Sequence, residues 1–343
     1  MRITKKIGGL VCGLSLCGAL SNVAIADEAA KFYKGKTITL VIGFSPGGGA
    51  DTFARFFQPF LAKHMPGKPN VIVQNMPGAG GIKAFNQVYN TGAQDGTRVI
   101  LTSPSHTIAY LLGKKNVRYD LNKMRWIGTL TQDTSACVAN KQSGIRTIED
   151  AKNRTIIFGS TGKSSSTTQH VMILESLLGY KFKITHGYRG TGAVRLAMQK
   201  NEVEAVCSFW ASQALGPQAQ DIKSGQLVPI VQMGKKKHPV FGNAPSAYDL
   251  AQNEEQKTIM KVVYGTTELS RPFGAPPGTP DANLDGLRRG FWSAVNDPAL
   301  KARAKKSRII IDPLNAADTE RELKAILATP KALLAKTKKL VGG

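Results

Sequence analysis

The chain has 343 residues, 42% of them hydrophobic and 20% charged, a composition that excludes a disordered protein and a length that suits two domains around a sizeable core. Lys and Arg number 46 against 23 Asp and Glu, giving a net charge of +23. Such an excess raises nucleic acid as a partner. However, Lys235-Lys236-Lys237 and Lys336-Thr337-Lys338-Lys339 are short runs without interleaved aromatics, which fits a solvated basic surface that attracts acidic solutes.

The chain opens on a secretory signal. Arg2, Lys5 and Lys6 form a basic head, Ile7 to Leu20 an apolar stretch, and Ala24-Ile25-Ala26 a small-x-small site that places cleavage before Asp27. The apolar stretch is shorter than the roughly 18 to 20 residues a spanning helix needs. Bulky Leu16 before Cys17 argues against a lipid anchor. Export is therefore expected, and loss of the three basic residues lowers the net charge to +20. Cleavage also removes Cys12 and Cys17. For Cys137 and Cys207 a disulfide and two buried thiols are both open; their place in candidate strands of one central region favours the disulfide.

Ile38 to Ile42 reads as a strand, followed by the turn Ser45-Pro46-Gly47-Gly48-Gly49-Ala50-Asp51. A helix from about Thr52 carries Phe53, Phe56, Phe57, Phe60 and Leu61 at core spacing. Strand, glycine turn and helix together make an anion cradle, since open backbone amides meet the positive end of a helix dipole. Asp51 complements that dipole or fixes the turn. Val71 to Val73 is a second strand. Gln74-Asn75-Met76-Pro77-Gly78-Ala79-Gly80-Gly81 is a second turn, and a helix runs from Ile82 to about Tyr89. A third strand, Arg98 to Thr102, ends in Ser103-Pro104-Ser105. From about Thr131 a second unit repeats the pattern, with strands at Ala136 to Ala139, Thr155 to Phe158, Phe182 to Ile184 and Glu204 to Cys207. Thr147 caps a helix there. Gly159-Ser160-Thr161-Gly162-Lys163-Ser164-Ser165-Ser166 leads into a helix that stops at Gly179, and Gly187 to Gly192 into one over Ala193 to Lys200. Leu227 to Gln232 is a strand returning to the first unit. Arg271 to Pro280 reads as a rigid loop, and helical runs cover Leu284 to Val295, Pro298 to Lys306 and Thr319 to Leu327. Strands alternating with helices predict a mainly parallel α/β protein that binds at strand carboxyl ends.

No reactive constellation accompanies these turns. Gly162-Lys163-Ser164 lacks the earlier glycine of a phosphate loop, Ile157 standing in its place. Neither glycine turn completes a dinucleotide fingerprint, and no G-x-S-x-G elbow occurs. The five histidines are scattered, His170 being the one placed nearest a cleft, and the remaining cysteines form no metal motif. Turns without a nucleophile, metal or cofactor site point to holding an anion rather than converting it.

Together, and in this order, several segments resemble the extracytoplasmic solute-binding proteins of the tripartite tricarboxylate transporter system, the Bug family. They are Ser45 to Asp51 with Ala54-Arg55, Asn75 to Gly81, Asp95-Gly96-Thr97, Gly159 to Gly162, Tyr188-Arg189-Gly190 and Ala275 to Pro280. The resemblance implies a type II periplasmic-binding-protein fold, with two α/β lobes and a hinge. It implies that a small di-, tri- or aromatic carboxylate is captured in the periplasm and delivered to an integral-membrane permease pair. By position, it assigns first-lobe contacts to Ser45, Gly48, Gly49, Asn75, Ala79, Gly80 and Ser103. Second-lobe contacts fall to Thr161, Ser164, Ser165, Tyr188 and Trp210. The chain departs from the family where Cys207-Ser208-Phe209-Trp210 replaces a common aspartate, and in lacking a histidine after the serine-rich turn. Phe209 and Trp210 either favour an aromatic carboxylate or pack in the core.

The expected organisation is a signal peptide over 1–26, lobe 1 over 27–131 and 232–343, and lobe 2 over 132–231. The expected protein is a monomeric receptor that needs no cofactor and binds no nucleic acid. The alternatives are an exported hydrolase of an acidic substrate and a basic polyanion-binding protein.

Overall fold

The computed structural model describes residues 28–234 and 237–341. The expected signal peptide, with Cys12 and Cys17, lies outside the described residues, as do Lys235 and Lys236.

Among the described residues, ten strands form two five-stranded sheets. In chain order they are β1 (Thr37–Ile42), β2 (Asn70–Asn75), β3 (Arg98–Leu101), β4 (Arg125–Thr129), β5 (Ser135–Asn140), β6 (Ile156–Gly159), β7 (Phe182–Thr185), β8 (Ala205–Trp210), β9 (Leu227–Gln232) and β10 (Pro272–Ala275). The first sheet has the order β2-β1-β3-β10-β4 and the second β7-β6-β8-β5-β9. β1 pairs in parallel with β2 and β3, and β6 with β7 and β8, because helices carry the chain back across the sheet. In each sheet a strand from the crossover region runs antiparallel to its neighbours: β10 in the first, β5 in the second.

The helix Gly49–His64 buries Phe53, Phe56, Phe57 and Leu61 on the first sheet. Phe57, Phe273 and Phe291 meet at ring separations of 5.3 to 5.5 Å, so the helix, β10 and the helix Asp281–Val295 share one aromatic core. Phe158, Val171, Leu174 and Tyr264 belong to the core of the second sheet. Helices Glu254–Tyr264 and Lys331–Leu340 also pack there, although the boundary at 231/232 assigns both to lobe 1. Their apolar faces complete the second core, a pairing that local periodicity does not reveal.

Two expectations of local structure change, and one helix is new. The stretch from Arg271 begins with a central strand rather than a loop: Thr102 N–H donates to the Pro272 carbonyl at 2.8 Å and Leu130 N–H to that of Arg271 at 3.0 Å. Proline accepts there without needing to donate. Thr147 caps a short 3-10 segment, Ile148–Lys152. Pro104–Leu111, unread in the sequence, is a helix entered through Pro104. Cys137 and Cys207 are joined by a disulfide between β5 and β8. Among the described residues no helix is long and apolar enough to cross a membrane.

Candidate ligand-binding site

The first glycine turn is held from beneath by Asp51. Its Oδ2 accepts from the Gly47 amide at 3.0 Å, while Oδ1 accepts from Asn75 Nδ2 at 2.9 Å. Asn75 Nδ2 also donates to the Phe44 carbonyl at 2.9 Å, and Arg55 Nε to Asp51 at 3.0 Å. Burial pushes the Asp51 carboxyl up. The Gly47 amide, Asn75 and Arg55 outweigh it and leave the group below its ordinary value. Asp51 therefore fixes the turn, and Asn75 ties the first turn to the second. Asp51→Ala leaves two donors without an acceptor and should cost about 2 kcal/mol in urea unfolding, with Asp51→Asn costing less.

The turns of the two sheets meet. Ser45 N–H donates to the Arg189 carbonyl at 3.0 Å, and Ser166 N–H to Ser105 Oγ at 3.1 Å. A Cβ on Gly80 would stand 3.0 Å from the Ser165 amide nitrogen. Between the turns lies an inner chamber of about 40 Å³, room for a few waters. An outer chamber of about 650 Å³ adjoins it, with Phe44 and Thr161 lining both.

Of the expected contacts, Gly48, Gly49, Ser103, Thr161 and Trp210 line the inner chamber. Asn75, Ala79, Gly80 and Tyr188 line the outer one, again with Thr161. Ser45, Ser164 and Ser165 line neither. Ser45 is taken up by the contact with Arg189, and Ser165 Oγ donates within its own turn to the Gly162 carbonyl at 2.7 Å. Ser164 stands half-buried to one side. His170 lies behind the wall, fully buried, its Nδ1 3.3 Å from Ser208 Oγ. Ser208 does line the chamber. It adopts a left-handed φ of 60° where the β5–β8 register shifts, which aims its hydroxyl at Ser166 Oγ, 2.9 Å away.

The charged residue that sequence reasoning missed is Arg271, among the described residues the one charged side chain lining the inner chamber. It is 2% exposed. Its guanidinium carbon sits 5.1 Å from the ring centre of Phe53 and 4.8 Å from that of Trp210. Nη1 donates to the Ser270 carbonyl at 2.7 Å, and Nε has no hydrogen-bond partner among the described residues. Burial lowers its pKa to about 10, against the pull of Asp133, so the cation persists at neutral pH. Asp133 is itself pushed up to about 6 by burial, although Ser212 Oγ donates to it at 2.5 Å. Among the described residues no His/Cys/Asp/Glu cluster is suited to a metal ion.

Strand-end turns of two α/β sheets that enclose a chamber define the class of a ligand-binding protein. The sequence profile of the tripartite tricarboxylate transporter family receptor matches residues 54–337, and the chain belongs to that family. A UPF0065 protein of Bordetella pertussis is 25% identical over 286 residues, 81% of this chain and 82% of its own. The solved periplasmic binding protein BugD superposes with a TM-score of 0.70 at 20% identity, over 90% of this chain and 97% of its own. MatC from Rhodopseudomonas palustris, solved with bound malate, gives 0.68 at 22% identity, over 90% and 99%. The fold is thus the expected two-lobed type II arrangement, and a receptor of this family binds its ligand rather than converting it.

Proposed function

We propose that this chain is a periplasmic receptor that captures a small carboxylate between its lobes and passes it to the membrane subunits of a tripartite tricarboxylate-type transporter. The carrying observation is the inner chamber, where helix-start glycines, hydroxyls and one buried guanidinium converge with no acid in the lining. Such a surface suits an anion. The malate in MatC supports the carboxylate class, and the N-terminal signal, cleaved after Ala26, supports the compartment. The moving bodies start from the expected lobes, 27–131 with 232–343 and 132–231, with one exchange between them. Helices Glu254–Tyr264 and Lys331–Leu340 travel with the second body, whose core they complete.

The test is a thermal-shift screen at low salt of malate, adipate, citrate and benzoate against inorganic phosphate. A binder present at a hundred times its Kd stabilises the folded state by about 2.7 kcal/mol. At least one carboxylate should raise the melting temperature. A response to phosphate alone would overturn the reading.

A further inference from the structure

We propose that Arg271 is the ligand's anion anchor, and that the chamber thereby selects carboxylates that carry no ammonium group. This deepens the reading of a carboxylate receptor and rests on it.

Arg271 is a buried cation with little to neutralise it. A guanidinium offers five N–H donors, yet among the described residues one protein hydrogen bond is made, from Nη1, and Nε is left without a partner. Among the described residues no carboxylate oxygen comes within 4.0 Å of it; the nearby Asp133 accepts from Ser212 through Oδ2, leaves Oδ1 without a partner, and acts on the guanidinium only through space. An unpaired buried charge is costly, and a planar fork suits a carboxylate. The fork also meets the first glycine turn. A Cβ on Gly49 would lie 3.3 Å from Nη2, and Gly49 begins a 16-residue helix whose N-cap, Gly48, makes no side-chain capping bond. A carboxylate seated there faces guanidinium and helix-start amides together.

The same lining excludes a second positive charge. It holds hydroxyls, glycines and the aromatics Phe44 and Trp210, but no Asp or Glu. An ammonium would be buried beside Arg271 with no acid to receive it. Phe53 comes from the helix of the first sheet and Trp210 from β8 of the second, so both bodies pack on the anchor.

The experiment is calorimetric titration of the mature chain with three matched pairs: malate and aspartate, glutarate and glutamate, 3-phenylpropionate and phenylalanine. In any pair that binds, the ammonium-free member should bind at least 30-fold more tightly. Arg271→Gln should weaken it at least 30-fold, with Arg271→Lys recovering part of the loss. Gly49→Ala is a second variant, at a helical position where the methyl would meet Gln213 at 3.1 Å and Arg271 Nη2 at 3.3 Å, and its unfolding midpoint checks that it folds. Its methyl crowds the meeting point and should weaken binding about tenfold. Equal or tighter binding of the amino member overturns the ammonium exclusion. Carboxylate affinity within threefold of wild type in both Arg271→Gln and Gly49→Ala overturns the anchor while leaving the carboxylate receptor standing. A response to phosphate but to none of the six compounds removes both.

Discussion

Gly80→Asn is expected to weaken ligand binding by about 100-fold while leaving the fold in place. Gly80 has a φ of 66°, a left-handed conformation that asparagine tolerates better than other side chains, so the local cost is about 1 kcal/mol. The larger effect comes from across the cleft. A Cβ at this position meets the nitrogen, Cα and Cβ of Ser165 at 3.0 to 3.1 Å, and the rest of the side chain has to enter the same gap. The opposing turn is braced, since Ser165 Oγ is bonded to the Gly162 carbonyl and the Ser165 carbonyl accepts from Gln169 N–H at 3.0 Å. The lobes then fail to seat, and the closed form loses about 2 to 3 kcal/mol, near 100-fold in affinity. Gly47→Asn is the control: its φ is 78° and nothing lies within 4 Å of its Cβ. It bears the same backbone cost without the collision and should bind within threefold of wild type. Titration calorimetry and the radius of gyration in small-angle scattering, with and without ligand, separate the cases. Equal losses in both variants, or none in either, would contradict closure at Gly80.

Acidification from pH 7 to 5 should lower stability by about 2 to 3 kcal/mol, the net of two opposed contributions. Burial lowers the pKa of His106 to about 4, partly offset by the Gly81 backbone, and that of His170 to about 3. The folded-state values are depressed, so the unfolded chain takes up protons below its ordinary value of about 6.5 while the folded chain does not. Their stability is present above that value and lost as pH falls, about 2 kcal/mol for each histidine by pH 5. Asp133 acts in the other direction. Its folded-state pKa is raised to about 6, so the folded chain takes up a proton first and gains roughly 1 kcal/mol over the same interval. Urea unfolding at a series of pH values reads the balance. Asp133→Asn removes the offset and should steepen the acid loss towards 4 kcal/mol, whereas His170→Gln should make it shallower. A flat profile in the wild type would show that these groups are not buried as described.

The strand-end turns were legible because glycine and serine clusters after apolar runs are local signals. Asp51 to Gly47 is likewise a four-residue relation, and Gly48, Gly49 and Thr161 line the inner chamber where the turns predicted a site. β10 was misread because Pro272, Gly274 and Pro276 are breakers when taken locally. In the sheet Pro272 serves as an acceptor, and Gly274 gives room to Met124 and Trp126, which a Cβ would meet at 2.8 and 3.3 Å. Arg271 stayed hidden for a related reason. An arginine before a proline carries no signal until Phe53, Trp210 and Asp133 arrive from three other segments to bury it.

By itself, the sequence determined the two-lobed α/β class, the place of the glycine turns at strand ends and the receptor family, because each rests on short-range patterns of apolar runs, turn residues and helix starts. Only the tertiary structure decided which turn residues line the chamber, that the Ser45 backbone and the Ser165 hydroxyl are bonded within and between the turns, and that a buried guanidinium lines it. Those outcomes depend on which groups remain unpaired once distant segments have packed, and burial and charge compensation are properties of the assembled neighbourhood rather than of any one stretch of chain.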